Sequence, residues 1–270
     1  MFNSDKKLLL GFFKALKGQR KVKIKKILVS QPPPADIEKT PYGSLASKYK
    51  VKIDFKKFIK VEGISASDFR RDKVYIQDHT AIILTSRNAV DHFFRMAKEM
   101  RVEIPDTLKY FCISEATAFY LQKYVQYRKR KIFSGKQNFQ DLLDLIKKHK
   151  TEKFLLPCSD IHKLSLIKLL ETNNVNFTKA IIYTTVASDL SEVEIQDYDM
   201  LVFFSPAGVK SLFKNFPDYV QNGTLIGAFG PTTSKAVKEA GLKIDIAAPT
   251  KTALSMTMAI EEHLQKTNKR

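Results

Sequence analysis

Cysteine is scarce in this chain: two residues in 270, Cys112 and Cys158. Two thiols cannot build a disulfide scaffold, and each stands at the end of an apolar run, where a buried free thiol is the plainer reading. That usage suits a reducing compartment, so a cytoplasmic location is expected. Long apolar runs are missing too. No stretch of eighteen apolar residues occurs, so no transmembrane helix is expected. The histidines, at 79, 92, 149, 162 and 263, show no metal-ligand spacing. No nucleophile elbow, paired-carboxylate signature or zinc-finger pattern accompanies them, so no metal is expected. His79 follows Asp78 just before a strand and reads as a surface hydrogen-bonding residue. No Walker lysine and no GxGxxG is found, which disfavours a nucleotide.

Acidic residues are the minority charge. Asp+Glu number 28 against 46 Lys+Arg, a formal net charge of +18. Such an excess points to an anionic partner: nucleic acid, a membrane surface or a polyanionic small molecule. The excess is spread along the chain, with local runs at Lys21–Lys26 and Arg128–Lys131. There is no Arg-rich tail, no recognition helix with clustered Arg, Asn and Gln, and no aromatic-basic ribbon, so no nucleic acid is expected.

What is present is an α/β pattern. The first residues, MFNSDKKLLLGFFKALKGQRKVK, stand apart, with Leu8-Leu9-Leu10 and Phe12-Phe13 among lysines. Residues 1–24 form an N-terminal extension that reads either as an amphipathic helix in weak contact with a membrane surface or as a disordered segment. Lys25–Val29 reads as a strand, and a helix follows around Tyr42–Lys50. Val51–Val61 alternates with β-formers and reads as one strand.

From there one unit returns repeatedly: an apolar strand, a small polar turn, an amphipathic helix. Ala81–Leu84 leads through Thr85-Ser86-Arg87-Asn88 into Ala89–Met100, and Tyr110–Ile113 through Ser114–Thr117 into Ala118–Tyr127. Lys153–Leu156 leads through Pro157-Cys158-Ser159-Asp160 into Ile161–Thr172. Met200–Phe204 leads through Ser205-Pro206-Ala207-Gly208 into Val209–Phe213, and Leu225–Phe229 through Gly230-Pro231-Thr232-Thr233 into Ser234–Ala240. Strands with continuous apolar runs, alternating with helices, imply parallel sheets covered on both faces. About nine strands are counted, centred on Leu28, Phe58, Ile83, Phe111, Leu155, Ile182, Val202, Ile226 and Ile244. That number fits two sheets better than one core of this size. No Gly/Ser-rich linker marks a boundary.

In open parallel sheets, ligands bind beyond the carboxyl ends of the strands. There the following helix presents unpaired N–H groups and a partial positive charge. Any one of these turns reads as ordinary N-capping. Five of them, rich in Ser, Thr, Asn, Gly and Pro, read together as a rim that can hold anions. Tyr183 closes the apolar run Ala180-Ile181-Ile182 and precedes Thr184-Thr185. On pattern alone it is either a half-buried strand tyrosine or a phenol at the edge of a site.

The stretches LTSRNAV, IIYTT, VFFSPAGV and AFGPTTSKAVKEAG, in this order, resemble the uroporphyrinogen-III synthase family. The resemblance runs from about Lys25 to Leu264. It implies two flavodoxin-like or Rossmann-like α/β domains with parallel sheets, joined by a two-stranded linker. Domain one would comprise residues 25–59 and 187–270, and domain two the inserted residues 60–186. The reaction implied is closure of hydroxymethylbilane, with inversion of the terminal pyrrole ring and loss of water, in tetrapyrrole (haem) biosynthesis. The substrate is an octacarboxylate linear tetrapyrrole, and no cofactor is needed.

The resemblance makes Tyr183 the catalytic candidate, assisting departure of the hydroxyl, and puts Ser86, Ser205 and Thr233 along the family's cleft. With their neighbours Thr85, Asn88, Ser159, Pro206, Gly208, Gly230 and Thr232 they form the expected substrate-binding set. On this reading Gly-Pro-Thr-Thr keeps its turn bare so that a carboxylate can reach the helix N–H groups. Three departures from the pattern stand out: Ser114 where the family often has Gly, with Glu115 awkward beside a carboxylate; the unusually basic segment Gln126–Lys136; and the N-terminal extension, which has no family counterpart. A monomeric enzyme is expected. The alternative is a non-catalytic α/β module that binds an anionic ligand.

Overall fold

The computed structural model describes residues 23–136, 139–161 and 164–268. The N-terminal apolar patch Leu8–Phe13 and His162 lie outside the described residues. Two compact units result: residues up to Ile59 together with those from Ala187 onward, and Lys60–Val186. Among the described residues, no helix is long and apolar enough to cross a membrane.

The first unit is built on five parallel strands: β1 (Lys26–Val29), β2 (Lys52–Phe55), β9 (Met200–Phe203), β10 (Leu225–Phe229) and β11 (Ile246–Ala248). They stand in the order β11-β10-β9-β1-β2. Alternation along the strands feeds two faces. Ile27, Val29, Met200 and Val202 pack with Leu45 of helix α1 (Pro41–Tyr49) and Ile260 of helix α9 (Met256–Thr267). Leu28, Leu201, Phe203 and Ile226 pack with Leu212 of α7 (Pro206–Asn215) and Val237 of α8 (Pro231–Glu239). Each such fully buried Leu, Ile or Phe contributes on the order of 1.5–3 kcal/mol. Ile24, assigned by sequence to the extension, is 1% exposed and belongs to this core. The Asn268 side chain brackets it, accepting from its N–H at 3.2 Å and donating to its carbonyl at 3.0 Å.

The second unit has the strand order β3-β8-β7-β4-β5-β6. Its members are β3 (Ile59–Gly63), β4 (Ala81–Leu84), β5 (Lys109–Cys112), β6 (Ile132–Ser134), β7 (Phe154–Ser159) and β8 (Phe177–Ala187). From β8 to β6 the pairing is parallel. Within β4, Ile82 and Leu84 face α3 (Arg87–Glu99) and α4 (Glu115–Leu121), through Phe93 and Leu121. Ala81 and Ile83 face the other layer, α5 (Phe139–Lys147) and α6 (Leu164–Thr172), through Leu143 and Leu170. A short helix, α2 (Ala66–Arg71), adds Phe69 to the first of these cores.

Several sequence expectations are corrected. Val51–Val61 is not one strand: it breaks at Lys56–Phe58, so that β2 joins one sheet and β3 the other. Phe58 sits in the break with 1% exposure, its ring 5.8 Å from that of Phe203. Pro157-Cys158-Ser159 is not a turn but the buried end of β7. The β4 ladder covers only Phe154 and Leu155 of β7, so a residue without an N–H is tolerated at 157. The last strand begins at Ile246 rather than around Ile244, and the described strands number eleven, with β6 unforeseen. Helices α7 and α8 start earlier than the first apolar residue because the polar turn supplies the cap and the first helical turn: Ser205 caps the helix that begins at Pro206, and Gly230, without a side-chain cap, precedes the one that begins at Pro231. His79 is not a surface residue: it is 8% exposed, and its Nδ1 lies 2.8 Å from the carbonyl of Tyr75.

Candidate active site

Counted within its own unit, the first sheet reads 2-1-3-4-5 and the parallel part of the second reads 3-2-1-4-5. The order reverses between β1 and β9 in one, and between β4 and β7 in the other. A crevice opens outside the carboxyl ends of the strands at such a point.

In the first unit the reversal brings Ser30, just past β1, beside Ser205, just past β9. The Ser30 N–H donates to the Val202 carbonyl at 2.9 Å. Ser205 caps α7, its Oγ accepting from the Gly208 N–H at 3.1 Å. A Cβ built on Gly208 would lie 3.5 Å from Ser205 Oγ and 3.6 Å from Ser30 Oγ, so both hydroxyls converge on the first turn of α7. Ser30 is 9% exposed, and its hydroxyl has no hydrogen-bond partner among the described residues. Ser30 is not among the residues that the sequence singled out. The available signal was its place after the first β-strand, the position the other turns share.

The next turn, after β10, is Gly230-Pro231-Thr232-Thr233. Gly230 is the N-cap of α8 with φ +85° and no side-chain cap, and nothing lies within 4 Å of where its Cβ would be. This is open, left-handed backbone of the kind glycine supplies. Phe204 and Phe229, ring centroids 5.6 Å apart, hold the two turns side by side. Thr232 is exposed, whereas Thr233 is 1% exposed, so its side chain faces the unit's interior. Pro206 is half-buried. A groove of about 700 Å³ runs between α1 and α9. Its Lys48 is ion-paired with Glu261 at 2.6 Å, so that groove offers hydroxyls rather than free positive charge.

In the second unit Thr85 and Ser86 follow β4, and Ser86 caps α3 by accepting from the Ala89 N–H at 3.1 Å. Asn88 is exposed in the first turn. Ser159 pairs across the sheet with Tyr183, at a register shift in β7. Its hydroxyl donates to Asp160 Oδ1 at 2.7 Å and accepts from the Ile161 N–H at 3.2 Å. Burial alone would raise the pKa of Asp160, but the Ser159 hydroxyl and the Thr185 N–H, 3.1 Å away, hold it below the ordinary carboxylate value. A fixed carboxylate therefore borders this rim.

Tyr183 is 7% exposed and belongs to the core shared with α3. Its ring stacks on His92, centroids 5.0 Å apart and planes 23° from parallel. Burial pushes its phenol above the ordinary tyrosine value, and the nearby Ser86 hydroxyl pulls it part of the way back. The phenol is thus uncharged at neutral pH and able to donate. Burial, then the charge of Arg95, lowers the pKa of His92. Ser86, Ser159, Tyr183 and His92 come together here, His92 being a residue the sequence did not single out. Both cysteines are free and buried, and burial raises Cys112 to about 12 and Cys158 to about 11. Among the described residues no cluster of His, Cys, Asp and Glu could hold a metal ion.

Several solved structures are similar to this chain. The uroporphyrinogen-III synthetase of Helicobacter pylori 26695 matches with a TM-score of 0.54 at 17% identity, over 90% of this chain and 100% of that one. A mutant uroporphyrinogen III synthase of the extremely thermophilic bacterium Thermus thermophilus gives 0.49 at 16% identity, over 90% and 99%. No curated protein sequence matches. At its identity the first likeness establishes the two-domain α/β fold. A family model described as uroporphyrinogen-III synthase HemD matches residues 58–258, which takes in the turns after β4, β7, β9 and β10 and the strand that carries Tyr183. With well over half of its length matched in this way, the chain belongs to the uroporphyrinogen-III synthase family.

Proposed function

We propose that this chain catalyses the reaction for which its family is named: closure of hydroxymethylbilane to uroporphyrinogen III, with inversion of the terminal ring and loss of water. The observation that carries the proposal is the pair of reversal points. Each unit of a family member carries hydroxyl-lined helix starts at the carboxyl edge of its sheet. These are suited to the carboxylates of a linear tetrapyrrole.

The chemistry needs no cofactor. The C–O bond of the hydroxymethyl group breaks, and the oxygen leaves with a proton as water. The conjugated cation left behind is attacked by the substituted carbon of the terminal ring, forming a C–C bond and a spiro intermediate. That intermediate fragments and recloses at the other position of the ring, and a proton is lost. The protein's main contribution is to hold the chain in the reactive fold and exclude the uninverted product. Tyr183 is the proposed hydrogen-bond donor to the departing hydroxyl. An uncharged phenol fits a donor that orients rather than fully transfers a proton.

Carboxylate binding is assigned to Ser205 with the α7 start, to Gly230 and Thr232 at the α8 start, and to Thr85, Ser86 and Asn88 at the α3 start. Ser30 is added to this set. Thr233, buried, is assigned to shaping the turn. Ser159 is assigned to holding Asp160. Two free, buried thiols suit action in a reducing cytoplasm.

The test is to supply hydroxymethylbilane and separate the uroporphyrin isomers by chromatography after oxidation. Isomer III above the spontaneous background is expected. Isomer I alone, at the uncatalysed rate, would leave a module that binds an anion without turning it over.

A further inference from the structure

Arg95, on α3, turns its guanidinium into its own unit rather than to solvent. Its side chain is 28% exposed. Nη2 donates to two carbonyls, Ile64 at 2.9 Å and Ile182 at 3.0 Å. Nε donates to His92 Nδ1 at 3.2 Å, and Nη1 meets Glu99 at 2.7 Å. The seat is made by Gly63 at the end of β3: a Cβ there would lie 2.5 Å from Arg95 Cζ and 2.6 Å from Nε and Nη2. Any side chain at 63 would push the guanidinium out.

Two of these partners bear directly on Tyr183. Ile182 is its neighbour in β8, and the Ile182 carbonyl also takes the Ile64 N–H at 3.1 Å. His92 is the ring stacked on the phenol. Because Nδ1 accepts from Arg95, the proton of the imidazole sits on Nε2. A doubly protonated ring would oppose one N–H to another at that contact, so the arrangement keeps the imidazole uncharged. The side chains facing His92 include both signs of charge, Asp91 and Glu99 against Arg95.

We propose that Arg95 is the positioning residue of Tyr183: it fixes the carbonyl one residue away and, through His92 Nδ1, orients the imidazole that stacks on the phenol. This rests on the reading of Tyr183 as the group that assists hydroxyl departure. A planar fork with several donors is needed, which lysine cannot replace. Arg95 touches no reacting atom, and its effect passes through Tyr183.

The test combines a spectroscopic and a kinetic readout on the full chain. In ¹⁵N-histidine spectra of the wild type, His92 is expected as the uncharged Nε2-protonated tautomer at neutral pH, and that form should persist to lower pH than in a free imidazole because burial and Arg95 lower its pKa. Arg95→Gln should release that preference and lower kcat about tenfold with little change in KM, the size of one lost charge-assisted hydrogen bond. In a Tyr183→Phe background the same substitution should lower kcat by less than about twofold, because the group it positions is gone. His92→Phe, which keeps a stacked ring but no acceptor, covers the case in which Arg95→Gln does not fold. It should reproduce part of the kcat loss, with unchanged melting. An Nδ1-protonated His92 in the wild type, or an equal loss with and without the Tyr183 hydroxyl, would overturn the proposal. Should the wild type form no isomer III, the reaction assigned above fails, while the tautomer still decides whether Arg95 holds His92.

Discussion

The two units meet one packing problem in two orders. Each buries a parallel sheet between helical layers, and each reverses its strand order once, at β1/β9 in the first and β4/β7 in the second. At the reversal point their chemistry diverges. The first unit offers backbone and small hydroxyls: Ser30, Ser205, Gly208 and the open Gly230. The second offers a set of larger groups, in which the Ser86 hydroxyl lies near the Tyr183 phenol, Tyr183 stacks on His92, and His92 accepts from Arg95. Similar helix starts can thus be left bare for a ligand or be linked to a buried side chain. On the proposed function, the first design is the one to grip the substrate's carboxylates. The second can place one phenol and hold its proton.

The sharpest way to break that contrast is at Tyr183, where packing and chemistry share one side chain. At 7% exposure within the unit's core, Tyr183→Ala should leave a cavity and cost about 3–5 kcal/mol. Tyr183→Phe keeps the ring and its stack on His92. It should melt close to the wild type and lose only the donated hydrogen bond, slowing ring closure by about ten- to a hundredfold. Calorimetry and turnover on both variants separate the roles. Wild-type turnover in Tyr183→Phe would reduce the second unit's network to packing.

Strand and helix types were legible because buried parallel strands read as apolar runs: Ala81–Leu84 and Leu225–Phe229 have the bounds the pattern predicts. Val51–Val61 misled because alternation reports a strand but not the sheet it joins, and the break at Phe58 leaves no local mark. β6 escaped because Ile132–Ser134 is three residues long and follows a basic run. At the candidate site, capping hydroxyls such as Ser86 and Ser205 announced themselves by standing between a strand and a helix. Thr233 did too, yet faces inward, since sequence gives the position in the turn but not which side of the helix is covered. His92 and Arg95 were hidden because on an amphipathic helix they look like any polar face. Only the fold puts them against β3 and β8.

A smaller effect is expected at the glycines of the first unit. Gly230→Ala meets no atom within 4 Å, so its whole cost is conformational. Holding a Cβ at φ +85° should cost about 1–2 kcal/mol. Gly208→Ala is the opposite case. Its added methyl would stand in ordinary contact with Ser205 and Ser30, at 3.5 and 3.6 Å. Stability should hold or rise by up to about 1 kcal/mol, since alanine favours a helix. Affinity for the tetrapyrrole should fall, because the methyl fills the space on which both hydroxyls converge. Melting and KM together test this. A Gly208→Ala chain with unchanged KM would remove the β1/β9 reversal from the binding surface.

The smallest effects compare like with like. Ser86 and Ser205 both cap a helix at a reversal point, each accepting from the N–H three residues on at 3.1 Å. Ser→Ala at either should cost about 1 kcal/mol through the lost cap. The difference lies in the second contact. The Ser86 hydroxyl lowers the pKa of Tyr183 against the rise caused by burial. Removing it should raise that pKa further, so the ultraviolet phenolate transition in Ser86→Ala moves to higher pH. Ser205→Ala should leave the transition in place and instead raise KM. Ser30→Ala should leave melting unchanged, because its hydroxyl has no partner to lose among the described residues, and should raise KM alone. A phenolate transition that moves equally in Ser86→Ala and Ser205→Ala would show that the two caps act through general loosening. The distinction between a bare rim and a linked one would then not hold.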